Sequence, residues 1–141
     1  MKILIMGLPG AGKTWLADWL QHELDYAWYN ADVVRKMAND WDFSVEGRIR
    51  QANRMKTLAD FEKSQGRTVM CDFVCPTKET RSQFEADVVI WVDTIDKGRF
   101  ENTNKVFESP EENEVDYHIT EKMTLKQVKQ FAEEFRDRYA A

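Results

Sequence analysis

The stretch Gly7 to Thr14, GLPGAGKT, constrains this chain more than anything that follows it. It fits GxxxxGKT at every fixed position and comes directly after a short apolar run, Lys2 to Met6, suited to a buried parallel strand. Glycines let the main chain fold tightly enough to aim its N–H groups at a polyphosphate, and a helix opening at Lys13 adds the positive end of its dipole. The spelling therefore assigns Gly7, Leu8, Pro9, Gly10, Ala11, Gly12, Lys13 and Thr14 to the phosphates of a nucleotide. Lys13 would reach the β- and γ-phosphates, and the Thr14 hydroxyl would hold magnesium. An amphipathic run (Trp15, Leu16, Trp19, Leu20, Leu24) continues the helix; a glycine turn with no nucleotide would lack both flanks.

Strand and helix signals alternate from there on. Ala27 to Asn30 predicts a second strand, and Asp32 can cap a helix containing Val33, Val34, Met37 and Ala38. Ser44 then caps a long helix from about Val45 to Gln65, with Ile49, Ala52, Met55, Leu58 and Phe61 as its apolar stripe and Gly66 as its stop. Thr68 to Phe73 is a third strand, and Thr77 to Phe84 a short helix. Asp87 to Val92 is the most hydrophobic strand and is expected at the centre of the sheet. An irregular charged stretch from Asp93 to Glu114 precedes a fifth strand, Val115 to Ile119. A closing helix, Leu125 to Tyr139, is capped by Thr124 and carries Leu125, Val128, Phe131, Ala132 and Phe135 on one face. The order implies a three-layer α/β fold of the P-loop kinase type, with a doubly wound, mostly parallel five-stranded sheet. A length of 141 residues suits a single domain, 1–141, with a lid at about 94–110.

Bulk properties narrow the partners. A formal net charge of -5 with no long basic tract gives a polynucleotide groove no support, so a small-molecule substrate is expected. No apolar run approaches the roughly 18 residues of a spanning helix, and the first strand runs straight into the phosphate loop, so a cleavable leader there would remove the site. Cytoplasmic residence, without membrane contact, is the expectation, and a homodimer stays open. Cys71 and Cys75, in one strand and the loop after it, read as free thiols, and two histidines are too few for a zinc site.

In doubly wound sheets ligands sit beyond the carboxyl ends of the strands, where Asn30, Asp32, Asp72, Cys75 and Asp93 all fall. Moving a γ-phosphoryl group from ATP requires charge neutralisation, a held magnesium and a carboxylate near the accepting hydroxyl. Asp32 either orients or deprotonates that hydroxyl or caps its helix. Asp72 interrupts an apolar strand, so it either serves magnesium or makes a structural ion pair or hydrogen bond. Arg35 and Arg48, if brought together, offer guanidinium forks to an anionic acceptor, and Gln51 shares the helix face of Arg48. Lys97, Arg99 and Lys105 belong to the lid, with Arg99 bringing a cation to the transferring group and Lys105 serving the nucleotide. The tryptophans read as core, except that Trp41, together with Phe43, is placed to stack on a planar substrate. Cys75 reads as a small core or turn residue.

These segments resemble the adenylylsulfate kinase family in order and spacing over about the first 110 residues: GLPGAGKT, NADVVR (Asn30 to Arg35), DFSVEGR (Asp42 to Arg48), DFVCPTKETR (Asp72 to Arg81) and DKGRFENTNKVFESP (Asp96 to Pro110). The family spells these segments DGD-x-x-R, FS-x-x-x-R, F-I-S-P and a lid with an RDPKG-like stretch. The resemblance implies transfer from ATP to the 3′-hydroxyl of adenylylsulfate, with Asp32, Arg35, Arg48 and the main chain near Val74 and Cys75 facing the acceptor. Asn30 stands at the first Asp of DGD, Cys75 at the serine of F-I-S-P, Gln51 at an asparagine, and Asp72 where a small or hydroxyl residue is usual. The lid lacks the RDP triplet. These departures fall on the acceptor side, so a kinase for another nucleoside, nucleotide or small alcohol is the second reading. A non-catalytic ATP-binding module is the third.

Overall fold

In the computed structural model, which describes residues 1–98 and 101–139, strands and helices alternate. They run β1 (Lys2–Met6), α1 (Lys13–Leu24), β2 (Ala27–Asn30), α2 (Ala31–Ala38), α3 (Val45–Ser64), β3 (Val69–Asp72), α4 (Lys78–Phe84), β4 (Val88–Val92), α5 (Glu101–Val106), β5 (Tyr117–Ile119) and α6 (Leu125–Tyr139). The strands form one parallel sheet in the order β2-β3-β1-β4-β5. The α/β fold is thus the one expected, with every strand pair parallel. Its centre is β1 rather than β4, and all five β1 residues are buried.

Period-2 alternation sorts the sheet residues between two cores. Ile3, Ile5, Met70, Val88 and Ile90 face α1 and α6 together with Leu16, Leu20, Val128 and Phe135. Leu4, Met6, Val69, Cys71 and Trp91 face the other side with Val34, Met55, Ala59 and Phe84. Asp72 follows Met70 by two residues, which turns its carboxylate toward the α1 side, where the phosphate loop ends.

The long helix buries a face one step from the one its hydrophobic pattern indicates. Gly47, Gln51, Ala52, Met55, Ala59 and Glu62 are inside, while Phe61 is 59% exposed and Ile49 lies at the surface. Glu62 is held there by the Tyr29 hydroxyl at 2.6 Å and by Arg67 at 2.6 Å, so two polar partners outweigh one ring. On α6, Val128, Ala132 and Phe135 are buried as expected, but Leu125 is exposed. The stretch from Asp93 to Glu114 is not irregular throughout, since it contains α5 and a 3-10 turn at Glu112–Glu114. Among the described residues, no helix is long and apolar enough to cross a membrane.

Candidate active site at the carboxyl edge of the sheet

The phosphate loop leaves β1 at Gly7, where a β-carbon would overlap the Val92 carbonyl oxygen at the end of β4. The loop closes with Gly12 in the left-handed region (φ 102°), which starts α1 without any side-chain cap. By contrast α2, α3 and α4 are capped by the side chains of Asn30, Ser44 and Thr77. The first N–H groups of α1 therefore stay available to an anion, and its first turn carries no acidic residue to compete. Lys13 is buried, with its ammonium donating to the Leu8 carbonyl at 3.0 Å. Thr94 ties the loop down by donating to the Ala11 carbonyl at 2.7 Å.

A cleft of about 590 Å³ opens in front of this loop. Pro9, Gly10, Gly12, Lys13 and Thr14 form one wall and Asp32, Arg35, Phe43 and Arg48 the other, with Asp72, Val74 and Cys75 on the floor. A second hollow of about 250 Å³ lies behind it, shared through Gly10, Gly12 and Trp15 and bounded by Ala11, Thr94 and Met123. Leu8 faces away from both, toward Trp91 and Asp93.

On the floor, Asp72 is 2% exposed and accepts hydrogen bonds from three side chains. The Thr14 hydroxyl donates to its Oδ2 at 2.9 Å, the Trp28 indole to its Oδ1 at 2.6 Å, and the Asn30 amide to Oδ2 at 3.0 Å. Burial pushes the Asp72 carboxyl above its ordinary range, and these three donors together with the Lys13 charge pull it back. The fold thus surrounds the Asp72 carboxylate with hydrogen-bond donors, the phosphate-loop hydroxyl among them. Sequence reasoning missed Trp28, grouping it with the core; the sole signal was its place two residues before Asn30 on the same strand face.

The cap of α2 is Asn30, whose Oδ1 accepts from the Val33 N–H at 3.0 Å. That corrects the cap assignment for Asp32. A residue caps a helix only if it stands just before the first helical turn, and Asp32 is already inside it. Its side chain is exposed to the cleft and accepts no hydrogen bond among the described residues.

Arg35 and Arg48 are brought to one wall. Arg35 is 5% exposed; its Nη1 donates to the Asp40 and Asp42 carbonyls at 2.8 and 3.2 Å, and its guanidinium lies 4.3 Å from the centre of the Phe43 ring. Arg48 donates through Nε to the Phe43 carbonyl at 2.9 Å and through Nη2 to the Thr103 hydroxyl at 3.3 Å. Phe43 and Trp41 are about half exposed and line the cleft, as expected of stacking candidates. Trp15, read as core, is 43% exposed and stands between the two hollows.

Of the other site expectations, Gln51 and Cys75 line the cleft and Lys105 does not. Gln51 touches the cleft, but its amide is engaged by the Ala31 carbonyl at 3.1 Å and by Arg54 at 2.6 Å. Arg50 and Arg54 grip the Asp40 carboxylate and hold it well below the usual carboxylate range. Lys105 is exposed on α5 outside the cleft lining, and Arg99 lies outside the described residues. Cys75 is buried on the floor with φ 47°, and burial pushes its thiol up to about 12. Cys71 and Cys75 are both free.

The family model for adenylylsulphate kinase matches residues 1–94, which include the phosphate loop, both cleft walls and the floor. The chain belongs to the adenylylsulphate kinase family. A probable adenylyl-sulfate kinase of Aeropyrum pernix is 32% identical over 89 residues, covering 57% of this chain and 47% of that relative, so the match spans about half of the relative's length. The structure of the Mycobacterium tuberculosis APS kinase in complex with AMPPNP and APS superposes with a TM-score of 0.78 at 18% identity, covering 99% of this chain and 97% of that one. Shikimate kinase from Aquifex aeolicus gives a TM-score of 0.68 at 13% identity, covering 98% of each chain. At these identities the structural likeness is one of fold, and that fold is the P-loop kinase fold.

Proposed function

We propose that this member of the adenylylsulphate kinase family transfers the γ-phosphoryl group of ATP to the 3′-hydroxyl of adenylylsulfate. The observation that carries the reading is the single cleft joining an uncapped helix start at the phosphate loop to the opposing wall of Asp32, Arg35, Phe43 and Arg48. One end suits a polyphosphate. The other offers two guanidiniums and an exposed ring, which suits an anionic, planar acceptor.

Lys13 and the loop N–H groups would hold the β- and γ-phosphates, while the donor's nucleoside fits the second hollow behind Trp15. Thr14 and Asp72 fit a nucleotide-borne magnesium: a hydroxyl and one carboxylate 2.9 Å apart are the small protein share that this ion takes when phosphates and water complete its shell. Among the described residues, no group of three His, Cys, Asp or Glu could hold a metal unaided, which agrees with an ion arriving with its nucleotide. Bound there, magnesium would neutralise charge on the phosphate oxygens. Asp32 would orient the acceptor hydroxyl and take its proton, Arg35 and Arg48 would bind the acceptor's anionic groups, and Phe43 would stack on its base. The segment 94–110 would act as a lid that excludes water, as in a single kinase domain.

Incubation with labelled ATP, magnesium and a panel of adenylylsulfate, adenosine monophosphate, shikimate and gluconate tests this. Label on the 3′-oxygen of adenylylsulfate is the expected result. Label on another alcohol alone would overturn the acceptor and keep a kinase, a reading favoured by the acceptor-side residues Asn30 and Cys75. No label on any acceptor, with nucleotide still bound, would leave a binding module.

A further inference from the structure

Asn30 and Asp72 are register partners on the adjacent strands β2 and β3, and both side chains reach the Thr14 hydroxyl. The Asn30 Nδ2 lies 3.1 Å from Thr14 Oγ1 and 3.0 Å from Asp72 Oδ2. Its orientation is settled by its other end, since Oδ1 accepts the Val33 N–H and only the amine can turn toward Asp72. Asp72 is held from both sides: the Trp28 indole, which can only donate, reaches Oδ1 at 2.6 Å, Thr14 donates to Oδ2 at 2.9 Å, and the Asn30 amine spans both oxygens at 3.3 and 3.0 Å.

We propose that positions 30 and 72 form one acid–amide pair in which a single carboxylate, serving the Thr14 hydroxyl and its ion, can stand on either strand, and that Trp28 is the positioning residue for the carboxylate at 72. The proposal rests on the kinase reading above. Two acids would not be tolerated, since two negative oxygens would face each other at about 3 Å in a buried site where neither can donate to the other. Two amides would leave no negative charge for a cation. The exchanged pair satisfies every partner again. Asp at 30 still accepts from Val33 and offers its second oxygen to Thr14. Asn at 72 presents its carbonyl oxygen to Trp28 and its amine to position 30.

The test is a four-cornered set, wild type, Asn30→Asp, Asp72→Asn and the double exchange, with calorimetric affinity for a non-hydrolysable ATP analogue measured in magnesium and in EDTA. The readout is the gain in affinity that magnesium gives. Asp72→Asn is expected to lose that gain by about 10- to 100-fold while keeping its affinity in EDTA. Asn30→Asp is expected to melt lower and to bind more weakly in magnesium. The double exchange is expected to recover near wild-type gain. Trp28→Phe removes only the indole donor; it should reduce the magnesium gain beside Asp72 and leave it unchanged in the exchanged background, whereas a purely structural tryptophan would weaken both backgrounds and both conditions alike. A double exchange that is folded but no better than Asp72→Asn, or that fails to fold, overturns the interchange. A wild type that binds the analogue equally in magnesium and EDTA overturns the metal role of the pair. A wild type that binds no nucleotide overturns the kinase reading itself.

Discussion

Gly47, in the first turn of α3, sits so close to the main chain of Asp42 that a β-carbon on it would overlap the Asp42 carbonyl oxygen and lie 2.7 Å from the carbonyl carbon. Helix propensity alone would make Gly47→Ala stabilising by about 1 kcal/mol. The contact reverses the sign, because the neighbour is backbone and cannot rotate away. Gly47→Ala is expected to destabilise the chain by about 1–3 kcal/mol in denaturant melts. The Asp42 carbonyl also accepts from Arg35, so the acceptor KM should rise with it. A gain in stability would refute the account.

How far the sequence could be read is plain at such positions. The boundaries of α1 and β2 are visible because caps, glycines and period changes are local signals, and the phosphate loop is a motif whose spacing is its chemistry. What stayed hidden depends on strand order, which no single segment encodes. β4 is more apolar than β1 and is likewise paired on both edges, yet the middle place falls to β1, which has two strands on either side of it. Trp28 becomes a partner of Asp72 only once β2 and β3 are neighbours in register. Asp32 reads as the cap of α2 in the sequence, but the helix starts two residues earlier than that reading requires, and Asn30 caps it.

Lys13 and Asp32 should separate donor from acceptor. Lys13→Ala is expected to lower turnover by more than about 100-fold, as for removal of a charge-stabilising donor, while circular dichroism stays native. Asp32→Asn should lower turnover with nucleotide affinity unchanged, because its carboxylate holds no structural partner among the described residues. Equal losses in both quantities would assign Asp32 a structural role.

Phe43 lies beneath the Arg35 guanidinium at 4.3 Å, is about half exposed and lines the cleft. Phe43→Ala removes that stacking, worth about 0.5–1 kcal/mol at an exposed site, and the surface offered to a planar acceptor. The acceptor KM is expected to rise several-fold, with nucleotide affinity constant in fluorescence or calorimetric titrations. A change confined to the nucleotide would place Phe43 on the wrong side of the reaction.

His118 stacks on Trp91 at 4.2 Å, with Asp93 2.8 Å from Nε2 and Glu112 3.2 Å from Nδ1. Both ring nitrogens thus face carboxylates, and the hydrogen bond to Asp93, ahead of that to Glu112, raises its pKa above 6.5. A histidine protonated more readily when folded adds stability that is complete below its ordinary pKa and is lost as pH climbs through the raised value. The melting-temperature difference between wild type and His118→Gln should therefore be largest near about pH 6 and shrink above it. A difference that grows with pH would reverse the sign and refute the charged triad.

The segment proposed as a lid leans on the phosphate loop through Gly98, where a β-carbon would meet Pro9 Cδ at 3.1 Å and the Pro9 carbonyl oxygen at 3.2 Å. Asn104 fixes that approach by bonding both the N–H and the C=O of Gly98, at 2.8 and 2.9 Å. Thr103, 5% exposed, carries the contact on to Arg48 of the acceptor wall. The exposed Lys97–Glu101 pair at 3.7 Å adds little. Alanine at 98 needs a shift of a few tenths of an ångström, whereas valine must push the segment off Pro9. If this segment keeps water from the transferring group, phosphate release relative to product should rise slightly in Gly98→Ala and more in Gly98→Val, with nucleotide affinity falling less than transfer. Release and product measured in the same reaction give the ratio directly, and equal ratios in all three proteins would mean that the contact with Pro9 shapes the loop without guarding the chemistry.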